Sequence, residues 1–129
     1  MTVQQMFPTR PRIEAVLPHE LRGGAQLYVF TEDWAYRSPK YGSGVIPKGF
    51  TTDFASIPGF FRRYIDDDDP GILLPSMRHD HRYTKQDIPR ADADDELEEG
   101  MQACGARWDQ RKAVRLAVRL FGGSHWKSP

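Results

Sequence analysis

The hydrophobic pattern of this chain changes period once, and that change constrains the fold more than any other feature. Before Asp53 the apolar residues stand in short aromatic and β-branched runs, the composition of strands. After Pro75 they recur at three- and four-residue spacing, the period of a helix. Gln26–Thr31 (QLYVFT) reads as one strand, Trp34–Arg37 as a second and Val45–Phe50 (VIPKGF) as a third, with PKYGSG over Pro39–Gly44 as a turn. Pro47 assigns the third strand to a sheet edge, because proline cannot donate to a ladder.

In the second half a helix opens at Pro75, where proline suits a first helical position, and gives way to a loop over Lys85–Pro89. Within Arg90–Cys104 the residues Asp94, Leu97, Met101 and Cys104 share one face, and Asp92, Asp95, Glu96, Glu98 and Glu99 make an acidic face opposite. Gly105 ends that helix. Trp108–Phe121 has Ala113, Leu116, Ala117, Leu120 and Phe121 on an apolar side; Gly122-Gly123 closes it, and Trp126 pins the tail over Ser124–Pro129. The pattern predicts a single α+β domain over residues 26–129, a small antiparallel sheet followed by a three-helix half. Residues 1–25 lack a sustained period and read as an N-terminal arm or irregular lead-in, with a turn at Arg22-Gly23-Gly24.

Between the halves lies TTDFASIP (Thr51–Pro58), where Asp53 and Ser56 are the residue types that cap and turn a backbone. An aromatic cluster of Phe60, Phe61 and Tyr64 follows, then a loop over Asp66–Asp69 and Pro70-Gly71. Four carboxylates in a row invite a calcium reading, but an EF-hand alternates its ligands and ends on a glutamate, so a solvated acidic loop is the reading here.

Composition excludes several classes. Lys+Arg and Asp+Glu are both 18, a formal net charge of zero, so there is no strong nucleic-acid signal. The single cysteine, Cys104, excludes an internal disulfide framework. No apolar run reaches the length of a membrane span and no signal peptide is evident, so the chain is expected not to be transmembrane. Arg107, Arg111, Arg115 and Arg119 recur every four residues, and the acidic face of the preceding helix is their expected partner.

The candidate chemistry sits in PSMRHDHRYTKQ (Pro75–Gln86). His79 and Tyr83 are one turn apart and share a helix face, with Asp80 about 100° round. Asp94 stands in the inward stripe of the next helix, where a leucine is the default. A buried carboxylate needs a partner, and His79 is the nearest candidate; the alternative is an acid favoured by the helix N-terminus. His81 points elsewhere on the helix and cannot join His79 in a simple chelate, and there is no HExxH or paired CxxC for zinc. Ser56 lacks a GxSxG elbow and reads as a turn hydroxyl.

Two resemblances carry function. The order GF-TTDFASIP, RHDHRY, R-ADAD, AVRLFGG and Trp126, spanning Trp34–Trp126, looks like a family of short uncharacterised phage and prophage proteins. That resemblance implies a virion or tail-associated role beside other phage proteins, in the virion or the host cytoplasm; alternatives are a purely structural adaptor and a lysis-module or host-directed enzyme. His79-Asp80-x-x-Tyr83 is similar to the His-Asp-x-x-Tyr of phospholipases A2. It implies a metal-dependent hydrolase-like site acting on a lipid or ester. His79 would be the general base, Asp80 a calcium ligand and Tyr83 and Asp94 the residues that orient the base, with Asp53 offered as a second calcium ligand. His81 and Arg82 stand where the secreted enzymes carry cysteine, and no glycine-rich loop directly precedes Pro75. The joint expectation is that His79 and Asp94 touch across two packed helices, with Tyr83 beside them.

Overall fold

A computed structural model of the chain describes residues 2–16, 21–22, 25–52 and 70–126. Asp53, Ser56, the aromatic cluster from Phe60 to Tyr64, the acidic run Asp66–Asp69 and His19 lie outside the described residues. The molecule is an α+β domain, with small antiparallel sheets before the helical half.

Strands β1 (Ile13–Ala15), β4 (Tyr28–Phe30) and β7 (Thr51–Thr52) form one sheet in the order β1-β4-β7, with Ile13 opposite Phe30 and Tyr28 opposite Thr52. Strands β2 (Leu21–Arg22) and β3 (Ala25–Gln26) make a short hairpin, and β5 (Trp34–Tyr36) pairs with β6 (Gly44–Ile46). Where the sequence led to one small antiparallel sheet, the described residues form three. The strand expected over Val45–Phe50 stops at Ile46, because Pro47 lacks the N–H that a continued ladder needs. A turn follows, with Phe50 N–H donating to the Pro47 carbonyl, and the chain re-enters a sheet at Thr51.

The lead-in packs against the domain. Thr2 and Gln5 make a reciprocal capping box around α1 (Val3–Met6), and Met6 and Phe7 are buried. Phe7 stacks on Trp34 at 5.4 Å between ring centroids, and the Trp34 indole N–H donates to the Thr9 carbonyl at 2.8 Å. These residues join Phe30, Tyr36, Ile46 and Met77 in an aromatic core.

The first long helix, α2, runs Pro70–Lys85 and so begins five residues before the Pro75 start expected from sequence, taking in the Pro70-Gly71 read as loop. Pro70 fits a first turn as well as Pro75 does. At Pro75 the helix forgoes one bond near its start and keeps the burial of the proline ring. Helix α3 (Arg90–Ala103) ends where Gly105 adopts a φ of 83°. Helix α4 (Trp108–Phe121) and a final turn α5 (Gly123–Trp126) complete the domain. No helix of the described residues is long and apolar enough to cross a membrane.

Leu97 and Met101 of α3 pack on Val114, Ala117 and Val118 of α4 as a second core. The expected apolar side of α4 is corrected here: Leu116 and Leu120 are 52% and 62% exposed, and the buried stripe is Gln110, Val114, Ala117 and Val118. That rotation leaves Lys112, Arg115 and Arg119 on the flank that reaches the carboxylates of α3.

Helices α2 and α3 approach closely at Gly100. A Cβ there would lie 2.6 Å from Arg78 Nη2, which is held by the Glu96 carbonyl at 3.0 Å, and 3.1 Å from Cβ of the buried Pro75. Gly100→Ala is therefore expected to lower stability. Overpacking of about 1–3 kcal/mol outweighs the gain of about 1 kcal/mol in helix propensity. Denaturant titration of the two proteins checks the sign.

Candidate functional site

Helix α2 presents three different polar faces to its surroundings. One carries His79 and Tyr83, whose rings lie 4.2 Å apart between centroids. Both meet Asp94, four residues into α3. His79 Nε2 is 2.8 Å from Asp94 Oδ1, and the Tyr83 hydroxyl donates to the same oxygen at 2.6 Å. Arg119 of α4 donates to Asp94 Oδ2 at 2.9 Å. Arg90 Nε donates to the Tyr83 hydroxyl at 3.1 Å, and the Trp126 ring packs edge-on against Tyr83 at 5.2 Å. The centre is closed from solvent: His79 is 2% exposed and Asp94 0%.

The electrostatics assign the protons. Burial alone pushes the Asp94 carboxyl up, but hydrogen bonds from His79, Tyr83 and Arg119 outweigh it and hold the group below the usual carboxylate range. An ionised carboxylate only accepts, so His79 Nε2 carries a proton and donates it to Oδ1. Burial, then the bond to Asp94, pushes the Tyr83 phenol up, so it too stays a donor. His79 Nδ1 is buried and has no hydrogen-bond partner among the described residues. A neutral ring with Nε2 protonated leaves a bare lone pair at Nδ1.

The second face of α2 holds residues that the sequence reading missed. Arg78 and Arg82, one turn apart, converge on Glu96. Arg82 Nε and Nη2 reach its two carboxylate oxygens at 3.1 and 3.0 Å, and Arg78 Nε lies 3.4 Å from Oε1. Glu96 was expected on a solvated acidic face; it is 0% exposed, because α2 covers that side of α3. The signal available in sequence was the arginine pair at i and i+4 on a helix that also carries the buried His79. Arg78 Nη1 donates to the Arg37 carbonyl at 2.9 Å and Arg82 Nη2 to the Gly42 carbonyl at 2.7 Å, tying the loop after β5 to the helices.

The third face carries His81, directed away from His79 as its spacing implied. Its Nδ1 shares a 2.9 Å hydrogen bond with the Tyr36 hydroxyl, and Phe50 packs edge-on against its ring. Burial pushes the Tyr36 phenol up to about 12 and the His81 ring down to about 4, helped for His81 by Lys85 and Arg82.

Other expected residues are placed as follows. Asp80 is half-buried on α2 and is not a member of the His79–Asp94–Tyr83 set. Among the described residues, no three His, Cys, Asp or Glu side chains are grouped to hold a metal ion. Asp53, the second calcium ligand expected from sequence, lies outside the described residues. Of the arginine stripe, Arg115 pairs with Asp95 and Glu98, Arg119 with Asp94, and Arg107 with Asp109 of its own helix.

Two measurements test this electrostatic reading. Glu96→Gln keeps the shape but removes the carboxylate shared by two buried guanidinium groups, leaving Arg78 without its counter-ion while Arg82 keeps Asp87, and a loss of about 3–5 kcal/mol in unfolding free energy is expected. For His81, the folded value near 4 lies below the unfolded 6.5. The unfolded state therefore binds the proton first, and stability present above pH 6.5 is lost as pH falls toward 4. The loss amounts to about 3 kcal/mol. His81→Asn should flatten the stability–pH curve in that window, and an unchanged slope would reject the assignment.

Comparison with known proteins places this chain in a family. No curated protein and no solved structure matches the chain. A family model described as a protein of unknown function, DUF1353, matches residues 28–118, which include α3, most of α4 and all three residues of the His79 centre except the contacts made from Arg119 onward. The match covers well over half of the sequence, and the chain belongs to the DUF1353 family.

Proposed function

We propose that the His79 centre is a hydrolase-type general base acting on an ester, within a phage protein associated with the tail or virion. One observation carries the catalytic part: Nδ1 of His79 is buried without a partner among the described residues, while Nε2 is held by Asp94 and Asp94 by Tyr83. That is the arrangement the phospholipase A2 resemblance implies for base and orienting residues. In the reaction, which requires the closed centre to admit a water and the ester, Nδ1 removes a proton from that water as the water oxygen bonds to the ester carbonyl carbon. The imidazolium that forms is stabilised by Asp94, which stays ionised. Collapse of the tetrahedral intermediate breaks the bond to the leaving alkoxide, and the same proton passes to that alkoxide. Asp80 and Asp53 are the proposed calcium ligands; a bound ion would polarise the carbonyl. The tail or virion placement is supported by the sequence resemblance to phage and prophage proteins.

A second reading is favoured by the burial. Two carboxylates and their cationic and phenolic partners in the α2–α3 interface also suit a purely structural adaptor, in which the network specifies the packing. Hydrolysis of p-nitrophenyl butyrate and of short-chain phosphatidylcholine, with and without calcium, separates the two. For a catalytic base, His79→Gln lowers turnover by about 10²- to 10⁴-fold with a nearly unchanged melting temperature, since the amide still reaches Asp94. For a structural network, the wild type turns over neither ester and Asp94→Ala costs about 3–5 kcal/mol. Presence or absence of the protein in purified particles distinguishes the virion role from a lysis-module enzyme.

A further inference from the structure

Asp94 is held from two sides, and only one of them belongs to the helix that carries the base. Its Oδ1 takes both donors from α2, His79 at 2.8 Å and Tyr83 at 2.6 Å. Its Oδ2 takes Arg119 Nη1 from α4 at 2.9 Å. A carboxylate is planar, so anchoring Oδ2 toward α4 turns Oδ1 toward α2. The same turn of α4 is tied back a second time. Arg90 Nη2 donates to the carbonyls of Val118 and Arg119 at 2.7 and 3.0 Å, while its Nε donates to the Tyr83 hydroxyl. Both carbonyls lie in the last turn of α4, where intrahelical partners run out, and the Val118 carbonyl also accepts from the Gly122 N–H at 2.9 Å. Arg119 lies one residue beyond the stretch that matches the family model.

We propose that Arg119 is a positioning residue of the His79 centre: by occupying Asp94 Oδ2 it keeps Oδ1 as the acceptor for His79 Nε2–H, and so leaves Nδ1 as the nitrogen with the free lone pair. Without the guanidinium, Oδ2 becomes a buried acceptor with no donor. The carboxylate then turns to share its donors or binds a proton, and the preference for the Nε2–H form of His79 is lost. The Arg119 side chain is 39% exposed, and a leucine there fills its inner part without bringing a donor to Oδ2, so the variant opens no sealed void. Its catalytic consequence rests on the hydrolase reading above; its effect on the ring does not.

The test is a long-range ¹H–¹⁵N spectrum of the histidine rings in the ¹⁵N-labelled full chain. It is recorded at mildly alkaline pH, with His79→Gln identifying the His79 signals. The wild type and Arg119→Lys are expected to show the Nε2–H tautomer. Arg119→Leu, and Arg119→Gln should the leucine variant not fold, are expected to show a mixture or the Nδ1–H form. If the wild type turns over an ester, kcat falls about 10- to 100-fold in these variants, with KM little changed. A tautomer pattern untouched by Arg119→Leu or Arg119→Gln, with only a lower Tm, would make Arg119 a strut between helices and overturn the proposal; so would a mixed tautomer in the wild type. Absence of turnover in the wild type, together with the expected tautomer change, would reject the hydrolase reading and leave the positioning role standing.

Discussion

Asp94 and Glu96, two fully buried carboxylates on one turn of α3, are what the packing of the helical half depends on. Each ion withdrawn from water costs several kcal/mol before compensation. Asp94 is compensated by His79, Tyr83 and Arg119, and Glu96 by Arg78 and Arg82. Four of these five partners come from α2. The helix therefore cannot slide or rotate against α3 without orphaning a buried charge. Apolar contacts alone would tolerate such a shift, because they are not directional. Gly100 adds a steric limit on the same interface, admitting Pro75 and Arg78 at a distance that a side chain would close.

The same helix joins the two cores. Met77 reaches into the aromatic cluster around Trp34, and His81 bonds to Tyr36. Arg78 lies over the Phe7 ring at 5.0 Å and Arg82 over Tyr36 at 5.1 Å, so the guanidinium groups that satisfy Glu96 also cover aromatic faces of the sheet half. They also donate to the backbone carbonyls of Arg37, Tyr41, Gly42 and Glu96 and to the Asp87 carboxylate. The β5–β6 pair and the loop between its strands, too small to be stable alone, are in this way fastened to a helical scaffold by directional bonds. The polar centre at His79 is built on helices on all sides, which suits a site whose groups must hold their orientation.

Much of this was legible in the sequence, and the reasons differ by residue. The meeting of His79, Tyr83 and Asp94 followed from helical spacing and from the rule that an acid in an apolar stripe needs a partner. The C-terminal bounds of α3 and α4 followed from glycine. Glu96 was hidden because it stands in a run of acids, DDELEE, that reads as a solvated face. Its burial depends on how far α2 wraps α3, which no local pattern encodes. Leu116 and Leu120 were misplaced for the complementary reason. They extend an apolar stripe, but the ion pairs of Arg115 and Arg119 rotate α4 so that Val114 and Val118 face inward instead.

By itself the sequence determined the class of fold, the order of strands and helices, and the three side chains that make the centre. Those properties are set by periods and caps acting over a few residues. Only the tertiary structure decided which oxygen of Asp94 faces His79, that Arg119 and Arg90 close the centre from α4 and α3, and that Nδ1 is the nitrogen left without a partner among the described residues. Those are outcomes of three helices meeting at one point, where the direction of each hydrogen bond is set by the other two.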